Sequence, residues 1–414
     1  MAKKDSGEFS FDDLNKLMSK NSKWGGLMSD GFGVSEITEY IPTGNYILNA
    51  AFTGSIFQGI PNNRSVEIFG PSGTSKTYIL LNLAREAQKK GYYVIWYDSE
   101  NAIESKQVKS FGCDLTKFRY EPVQTVQEFR TSVTQLVDML IEQKENGKQI
   151  PKLFVVLDSA GNLATQKEID DSKAGQEKQD MTRAKVMKSI FRIIMSKMGI
   201  IGASFVFSNH CYSTLDLFSQ QVAAGGTGAE YGASIILSVN KAKLKEGNNQ
   251  VGIIVNAKPT KNRFCKPVVV KFHIDYNHGM NPFVGLDEYI SWERCGIGRG
   301  KFFTEKEWLK LSESEQEKSY EIETKDGVRY FYPSETARNI CCDNGDIFPL
   351  GKLFTPQVFT QERLERLDEY IQSEFKYADG VQVNDLFDED VENDEETDSV
   401  EQSDEDLIDN QLFD

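Results

Sequence analysis

The chain has 414 residues, of which 39% are hydrophobic and 11% aromatic, and a formal net charge of -16, which indicates a globular protein of two domains plus tails. The six cysteines form no CxxC pair and there are only three histidines, which argues against a zinc site and favours reduced thiols in a cytoplasmic protein. No uncharged apolar stretch is long enough for a bilayer, and the first residues, MAKKDSGEFSFDD, lack the apolar core of a signal peptide, so we expect neither a membrane anchor nor secretion.

The first predicted element is a polar N-terminal arm, residues 1–38. Its one amphipathic patch, residues 9–18 (FSFDDLNKLM), fits a short helix. Such a helix could dock on its own domain or on a neighbouring subunit, and the pattern favours neither. We therefore treat the arm as a candidate oligomerisation element.

Strand-like and helix-like patterns alternate from about residue 40. Apolar runs predict strands at residues 64–69, 92–97, 153–157 and 203–208. Helical periodicity predicts helices between them at residues 77–90, 128–145 and 181–198. Repeated strand–helix–strand units imply a parallel sheet that is covered on both faces. Three further runs have no long helices between them and predict that the sheet ends in antiparallel pairs; they lie at residues 233–239, 251–257 and 268–274.

A glycine-rich turn follows the first of these strands directly. Such a turn lets backbone N–H groups point inward on a triphosphate, while a Lys meets the outer phosphates and a Ser or Thr hydroxyl binds Mg²⁺. Lys76 and Thr77 fill these two roles, and Ser75 stands where such loops usually have glycine. We predict a nucleoside triphosphate site formed by Gly70, Pro71, Ser72, Gly73, Thr74, Ser75, Lys76 and Thr77.

Polar residues follow the other predicted strands. The second strand runs into DSE, whose last residue is Glu100, the third runs into Asp158, and His210 follows the fourth. Because ligands of a doubly wound sheet sit at the carboxyl ends of the strands, we expect Asp158 to orient Mg²⁺, Glu100 to polarise a water and His210 to sense the γ-phosphate. Each residue alone also fits an ordinary helix cap, first-turn carboxylate or strand-end imidazole. Their occurrence together favours the nucleotide site.

A long polar segment follows His210. It runs from residue 211 to residue 224 and is followed by GGTG, which begins with Gly225 and Gly226. A loop of this length is unusual inside a compact domain, and paired glycines let backbone N–H groups approach a phosphate closely. The alternative is a flexible surface loop.

The chain changes character after GMNPFVG, residues 279–285. We place the core at residues 39–285 and a small, charge-rich C-terminal α/β domain at residues 286–378. Residues 379–414 contain 16 Asp and Glu and no Lys or Arg, a composition typical of a disordered tail, and the chain before them is neutral. The tail either competes with nucleic acid for basic loops, docks on basic partners or only raises solubility.

The motifs occur in the order GPSGTSKT, DSE, VVLDS, SNH, GGTG, KNRFCKP and VVVKFHID. In this order they resemble the RecA family of strand-exchange ATPases, and most closely its UvsX-type branch in tailed phages. LDSAGNLATQKE and QDMTRAKVMKSIFRI strengthen the likeness. The resemblance covers residues 40–300 well, continues more weakly to the acidic tail, and implies a RecA-like P-loop ATPase core with a mostly parallel central sheet.

The resemblance also implies roles for the nucleotide-site residues, with ATP and Mg²⁺ as the bound species. Glu100 would be the catalytic carboxylate and Lys76 the loop cation. Thr77 and Asp158 would hold Mg²⁺. His210 would sense the γ-phosphate, at a position where relatives often carry Gln.

Lys261 and Arg263 match a basic pair that, in the family, reaches the ATP of the neighbouring subunit and stabilises transition-state charge. A basic hairpin on a solvated face is the alternative. Gln107 stands where relatives often carry an aromatic residue that stacks on adenine, so the adenine contacts stay open. Ser75 fits the phage branch, which tolerates residues other than glycine there.

Two segments would bind DNA by this resemblance, one near residues 180–188 and one at residues 211–228. The first would contact phosphates through its basic side chains, and the second would offer backbone amides and an apolar wedge between base triplets. The residues concerned are Arg183, Lys185, Phe218, Gly225 and Gly226.

The resemblance implies an ATP-dependent recombinase that forms a filament on single-stranded DNA and pairs it with a homologous duplex, in phage recombination, repair and recombination-dependent replication. Its partners would be both forms of DNA, further copies of itself, a single-strand-binding protein and a recombination mediator. Two alternatives are a ring helicase with the same core and a non-catalytic mediator. The helicase would need an additional loading domain, and only some 40 residues precede the core. The intact Lys76, Glu100 and Asp158 argue against the mediator.

Overall fold

The structure is a computed structural model that describes residues 9–22, 24–30, 36–175, 183–213, 221–223 and 232–378. The chain divides into two units, Met1–Lys376 and Tyr377–Asp414, and every element below belongs to the first. In these ranges we find no helix that combines the length and the apolar character needed to cross a membrane.

Strands and helices alternate through the first two thirds of the chain. The strands are β1 (Tyr40–Ile41), β2 (Ile60–Pro61), β3 (Ser65–Phe69), β4 (Tyr93–Asp98), β5 (Phe118–Pro122), β6 (Leu153–Asp158), β7 (Ser204–Asn209), β8 (Cys211–Ser213), β9 (Gln221–Ala223), β10 (Ile235–Glu246), β11 (Asn249–Asn262), β12 (Val270–Asp275) and β13 (Gly279–Met280). The helices are α1 (Phe11–Asn21), α2 (Tyr46–Thr53), α3 (Lys76–Lys89), α4 (Ser105–Ser110), α5 (Val126–Glu145), α6 (Gln166–Lys173) and α7 (Arg183–Ile201).

One large sheet has the strand order β13-β12-β11-β10-β3-β7-β6-β4-β5. The strands from β10 to β5 run parallel, whereas β10, β11, β12 and β13 pair antiparallel. The parallel strands β3, β4, β6 and β7 are joined by helical crossovers, while a two-residue turn joins β10 to β11. The predicted α/β fold with a mostly parallel sheet that ends in antiparallel pairs is confirmed.

Apolar side chains cover both faces of this sheet. Along β6, Phe154 and Val156 join the core that contains α3, whereas Val155 and Leu157 join the core that contains α5 and α7. Burial of one such side chain stabilises the fold by roughly 1.5–3 kcal/mol. The sheet is therefore a rigid support, and its polar residues gather where the strands end.

A smaller antiparallel sheet follows, in the order β15-β16-β14-β17-β18, with β14 (Ile297–Thr304), β15 (Tyr320–Thr324), β16 (Gly327–Pro333), β17 (Asn339–Cys342) and β18 (Ile347–Pro349). Its helices are α8 (Trp292–Cys295), α9 (Glu305–Trp308), α10 (Glu313–Glu317) and α11 (Gln361–Phe375). Helix α11 packs back on the core, since the buried Asp368 carboxylate accepts hydrogen bonds from Ser55 Oγ at 3.0 Å and Ile56 N at 2.7 Å. The predicted domain boundaries stay predictions.

The N-terminal helix α1 has an exposed apolar face. A capping box between Ser10 and Asp13 starts the helix, and none of its residues is buried. Phe11 is 68% exposed, Leu17 53% and Met18 60%. The exposed face of α1 supports a partner outside the subunit, although the arm also touches the core, where Lys144 Nζ lies 5.4 Å from the centre of the Trp24 ring.

Candidate nucleotide site

The predicted phosphate loop lies between β3 and α3, and its two glycines are required by its geometry. A Cβ added at Gly70 would lie 2.1 Å from the Val239 carbonyl oxygen, so only glycine fits beside β10. Gly73 has a φ of +71°, in the left-handed region that favours glycine. The Gly70 N–H donates to the Asn209 carbonyl oxygen at 3.3 Å, which ties the start of the loop to the end of β7.

Ser75, the departure from the usual loop pattern, adopts a backbone conformation that suits glycine. It precedes α3 with φ +65° and ψ +30°, and its side chain makes no capping hydrogen bond. The left-handed region costs a non-glycine residue roughly 1–2 kcal/mol. This strain gives the physical reason why glycine is usual at this position.

We expect the substitution Ser75→Gly to raise the free energy of unfolding by about 1 kcal/mol, because glycine removes the strain of the left-handed backbone. Urea denaturation of the full chain measures this. Ser196→Gly is the control, since Ser196 lies exposed well inside α7 and glycine there should lower stability by about 0.5 kcal/mol. A loss of stability in both variants would contradict the assignment of strain to Ser75.

The Lys76 side chain turns back into the loop. Its Nζ donates to the carbonyl oxygens of Gly70 at 2.9 Å and Pro71 at 3.0 Å, and the residue is only 8% exposed. Burial lowers the pKa of Lys76, while the nearby Glu100 and Asp158 carboxylates favour its charged form. An ammonium held at this point can meet the outer phosphates of a nucleotide.

Asp158, at the end of β6, and Thr77 form a pair of oxygen donors. Thr77 Oγ1 donates to Asp158 Oδ2 at 2.7 Å, and Ser208 Oγ donates to the other carboxylate oxygen. Burial raises the pKa of Asp158, and these two hydrogen bonds oppose the rise. Mg²⁺ prefers carboxylate and hydroxyl oxygens, so Thr77 and Asp158 fit the predicted metal role. Because the raised pKa favours the protonated acid, metal affinity should fall as the pH falls.

Glu100 and His210 meet at the same edge of the sheet. His210 Nε2 lies 2.7 Å from Glu100 Oε1, and Ser159 Oγ donates to that oxygen at 2.5 Å. Both Glu100 and His210 are half-buried. A carboxylate held by two fixed partners keeps one orientation, as a group that aligns a water must.

Several side chains orient the predicted site residues, a role that the sequence analysis did not assign to them. The buried Asp98 accepts hydrogen bonds from Glu100 N at 2.8 Å and Ala102 N at 2.9 Å, and so shapes the turn that carries Glu100. Asn209 Nδ2 donates to the buried Glu67 at 2.8 Å, which fixes the residue before His210. Ser159 and Ser208 are the other two. All but Glu67 lie at a strand end, which is the signal that could have found them.

A cavity of about 150 Å³ joins these groups. A larger apolar cavity of about 410 Å³ lies between α4 and β5, but its lining lacks the phosphate-loop residues. The smaller cavity is the one whose lining fits a phosphate group, and it is therefore the candidate nucleotide site. It is lined by Ser72, Gly73, Ser75, Lys76, Thr77, Glu100, Asp158 and His210.

The predicted basic pair does not line this cavity. Lys261 pairs with Ile236, which in turn pairs with Glu67, so Lys261 lies level with a residue three positions before the loop. Arg263 lies near Arg64, in front of β3; burial lowers the pKa of Arg64 and the Arg263 charge lowers it further. Lys261 thus lies level with the middle of β3, and Arg263 lies near the start of that strand, away from the phosphate loop that follows its end.

The predicted DNA-binding residues lie apart from the cavity or outside the described ranges. Arg183, the first residue of α7, donates through Nη2 to the Gly161 carbonyl oxygen at 2.5 Å, and Lys185 is exposed. Phe218, Gly225 and Gly226 lie outside the described residues. The DNA contacts of all five residues stay predictions.

The family model of the RecA N-terminal domain matches residues 11–281, well over half of the chain. The chain belongs to the RecA family. The "Recombination and repair protein" of Enterobacteria phage T4 is 31% identical over 244 residues, which are 58% of this chain and 60% of the phage protein. The chain thus spans about 60% of the length of that relative.

Cellular RecA proteins are also similar to this chain. Protein RecA of Streptomyces coelicolor is 26% identical over 331 residues, 78% of each chain. Protein RecA of an Arthrobacter species is 28% identical over 270 residues, 63% of this chain and 72% of that one. The predicted membership of the RecA family, with a likeness to its phage branch, is confirmed.

Proposed function

We propose that this protein is an ATP-dependent DNA recombinase. It forms a filament on single-stranded DNA and catalyses homologous pairing and strand exchange, in phage recombination, repair and recombination-dependent replication. Family membership, the names of the phage and bacterial relatives and the polar cluster at the phosphate loop support this proposal. A single-strand-binding protein and a recombination mediator are its further proposed partners.

The contact of 2.7 Å between Glu100 and His210 carries the proposal. Glu100 belongs to the nucleotide cavity, and His210 is the residue from which the proposed DNA loop, residues 211–228, begins. A γ-phosphate that attracts the imidazole would change its contact with Glu100 and the start of that loop together. The bound nucleotide and the affinity for DNA would then be linked, because His210 makes different contacts with and without a γ-phosphate. Such a difference in contacts is what shifts the population between two conformations.

The chemistry assigned to the cavity needs few groups. The loop amides and Lys76 would hold the triphosphate, and Thr77 and Asp158 would hold Mg²⁺, which supplies charge neutralisation when bound. Glu100 would orient the attacking water and accept its proton. The resulting loss of the γ-phosphate would release His210 and loosen the grip on DNA.

Two assays test the function together. We expect single-stranded DNA to stimulate ATP hydrolysis and the protein to exchange strands between homologous, but not unrelated, DNA molecules. Closed rings in electron micrographs and unwinding without exchange would favour the helicase. DNA binding without turnover would favour the mediator.

The position of Lys261 and Arg263 supports action on the ATP of a neighbouring subunit. Neither residue lines the nucleotide cavity of its own subunit, and a head-to-tail filament brings two different surfaces of the subunit together at each interface. The exposed face of α1 supports such an interface. The catalytic site would then be complete only at the interface between two subunits.

Mixed filaments test this arrangement. The Lys76→Ala variant and the Lys261→Ala/Arg263→Ala variant should each be inactive alone. An equal mixture should recover roughly a quarter of the wild-type DNA-dependent ATPase, because about that share of head-to-tail interfaces combines an intact loop with an intact basic pair. No recovery in filaments that contain both variants would contradict action between subunits.

A further inference from the structure

Lys241 lies against the outside of the phosphate loop. Its Nζ is 3.5 Å from the Ser72 carbonyl oxygen, and a Cβ added at Gly73 would lie 2.6 Å from that Nζ. The two residues it touches also line the nucleotide cavity. The side chain therefore brings a positive charge to the rim of the site.

Strand β10 is what holds Lys241 there. It pairs with β3 as far as Ser238 opposite Phe69, and then continues past the loop as one arm of the β10–β11 hairpin. The close approach of Val239 to Gly70 shows that the β10 backbone borders the loop at its first residue. Lys241 stands two positions further along, so a paired strand, and not a free loop, sets its position.

Two ammonium groups thus flank the loop, Lys76 from within and Lys241 from outside. Burial is the main reason that the pKa of Lys76 is lowered, and the Lys241 charge lowers it further. Like charges this near to one another repel. The negative charge of a triphosphate would attract both ammonium groups and so offset their mutual repulsion.

We propose that Lys241 is a second cation of the nucleotide site, which stabilises the outermost phosphate of ATP from the rim while Lys76 acts from within. Lys241 borders Ser72 and Gly73, which share the cavity with His210, the proposed γ-phosphate sensor, and with Glu100, the proposed base for the water that attacks it. The inference rests on the proposed ATP site. Lys241 is a positioning residue, since its charge acts on the phosphate from outside the cavity and its contacts with Ser72 and Gly73 hold the loop.

The chain offers a matched control in Lys243. It lies two residues further along β10, and so on the same face of the strand, and it is exposed as Lys241 is. Its substitution removes the same charge from the same hairpin at a greater distance from the loop. A general effect of hairpin charge would therefore appear equally in Lys243→Ala and Lys241→Ala.

Nucleotide binding without DNA tests the proposal in the full chain. Fluorescent ADP and a fluorescent non-hydrolysable ATP analogue are titrated with Mg²⁺ into the wild type and the variants. Lys241→Ala should lower the affinity for the ATP analogue about fivefold and the affinity for ADP less than about twofold. A loss of this size is what one partly exposed charge pair allows. Lys243→Ala should keep both affinities within about twofold of the wild type, and Lys241→Arg should restore binding of the ATP analogue. Added NaCl should reduce the difference in affinity for the ATP analogue between the wild type and Lys241→Ala.

The outcomes separate this inference from the function beneath it. If the wild type binds neither nucleotide, the proposed ATP site and the inference both fail. If the wild type binds them but Lys241→Ala changes the affinities no more than Lys243→Ala does, the ATP site stands and the role of Lys241 is wrong. The same holds if Lys241→Ala lowers the affinities for ADP and for the ATP analogue equally. Thermal unfolding of each variant excludes loss of the fold as the cause.

Discussion

Replacement of Lys76 with alanine is expected to lower DNA-dependent ATP hydrolysis at least about a hundredfold. Loss of one preorganised donor aimed at developing phosphate charge typically costs 10²–10³ in turnover, and Lys76 is the buried cation of the loop. Release of inorganic phosphate, measured with and without single-stranded DNA, gives the result. The substitution also removes the hydrogen bonds to Gly70 and Pro71, so ATP binding should weaken as well.

The control for this experiment is Lys89→Ala. Lys89 is the last residue of α3, the same helix that Lys76 begins, and its side chain is largely exposed. The Lys89→Ala protein should hydrolyse ATP within about twofold of the wild type, since Lys89 is exposed and lies at the other end of the helix from the loop. If Lys76→Ala keeps the ATPase of the wild type, the assignment of the phosphate loop is wrong.

The second large effect is expected at Glu100. Glu100→Ala should keep ATP binding within about threefold of the wild type but reduce turnover about 10²–10⁴-fold, the usual contribution of a positioned general base. The reason is geometric, since Glu100 faces the cavity from the end of β4 whereas the loop amides and Lys76 hold the phosphates. Equilibrium binding of a fluorescent ATP analogue and single-turnover hydrolysis separate the two effects.

Glu142→Gln is a suitable control for Glu100, because Glu142 is an exposed residue of α5 that faces no part of the cavity. Its binding and turnover should both match the wild type. A Glu100→Ala protein that loses binding and keeps the single-turnover rate of its bound fraction would mean that Glu100 holds the nucleotide and does not act on water. Normal turnover in that variant would remove Glu100 from the chemistry altogether.

The strands that end at the site were predictable from local pattern. β3, β4, β6 and β7 begin and end within one residue of the predicted runs. Each is buried in the parallel part of the sheet, and such a strand is apolar along its length, so its end coincides with the first polar residues. This is why Asp158, Glu100 and His210 could be found beside the phosphate loop before the structure was considered.

The β10–β11 hairpin was predicted less well. The apolar run ended at residue 239, yet β10 continues to Glu246 through the polar stretch NKAKLKE. That stretch is held by pairing with β11 across a two-residue turn, and exposed hairpin strands need no apolar run. Lys241 was missed for this reason.

The sequence by itself was enough to predict the phosphate loop, the acidic residues at the strand ends and the likeness to the RecA family. Each of these features depends on residues that are close together in the sequence. The tertiary structure alone decided which distant side chains orient them. Glu67 holds Asn209 across 142 residues of sequence, and Lys241 reaches Ser72 across 169 residues. Such contacts arise where β10 and β7 pair on either side of β3, and hydrogen bonds between distant strands leave no periodic trace in the sequence.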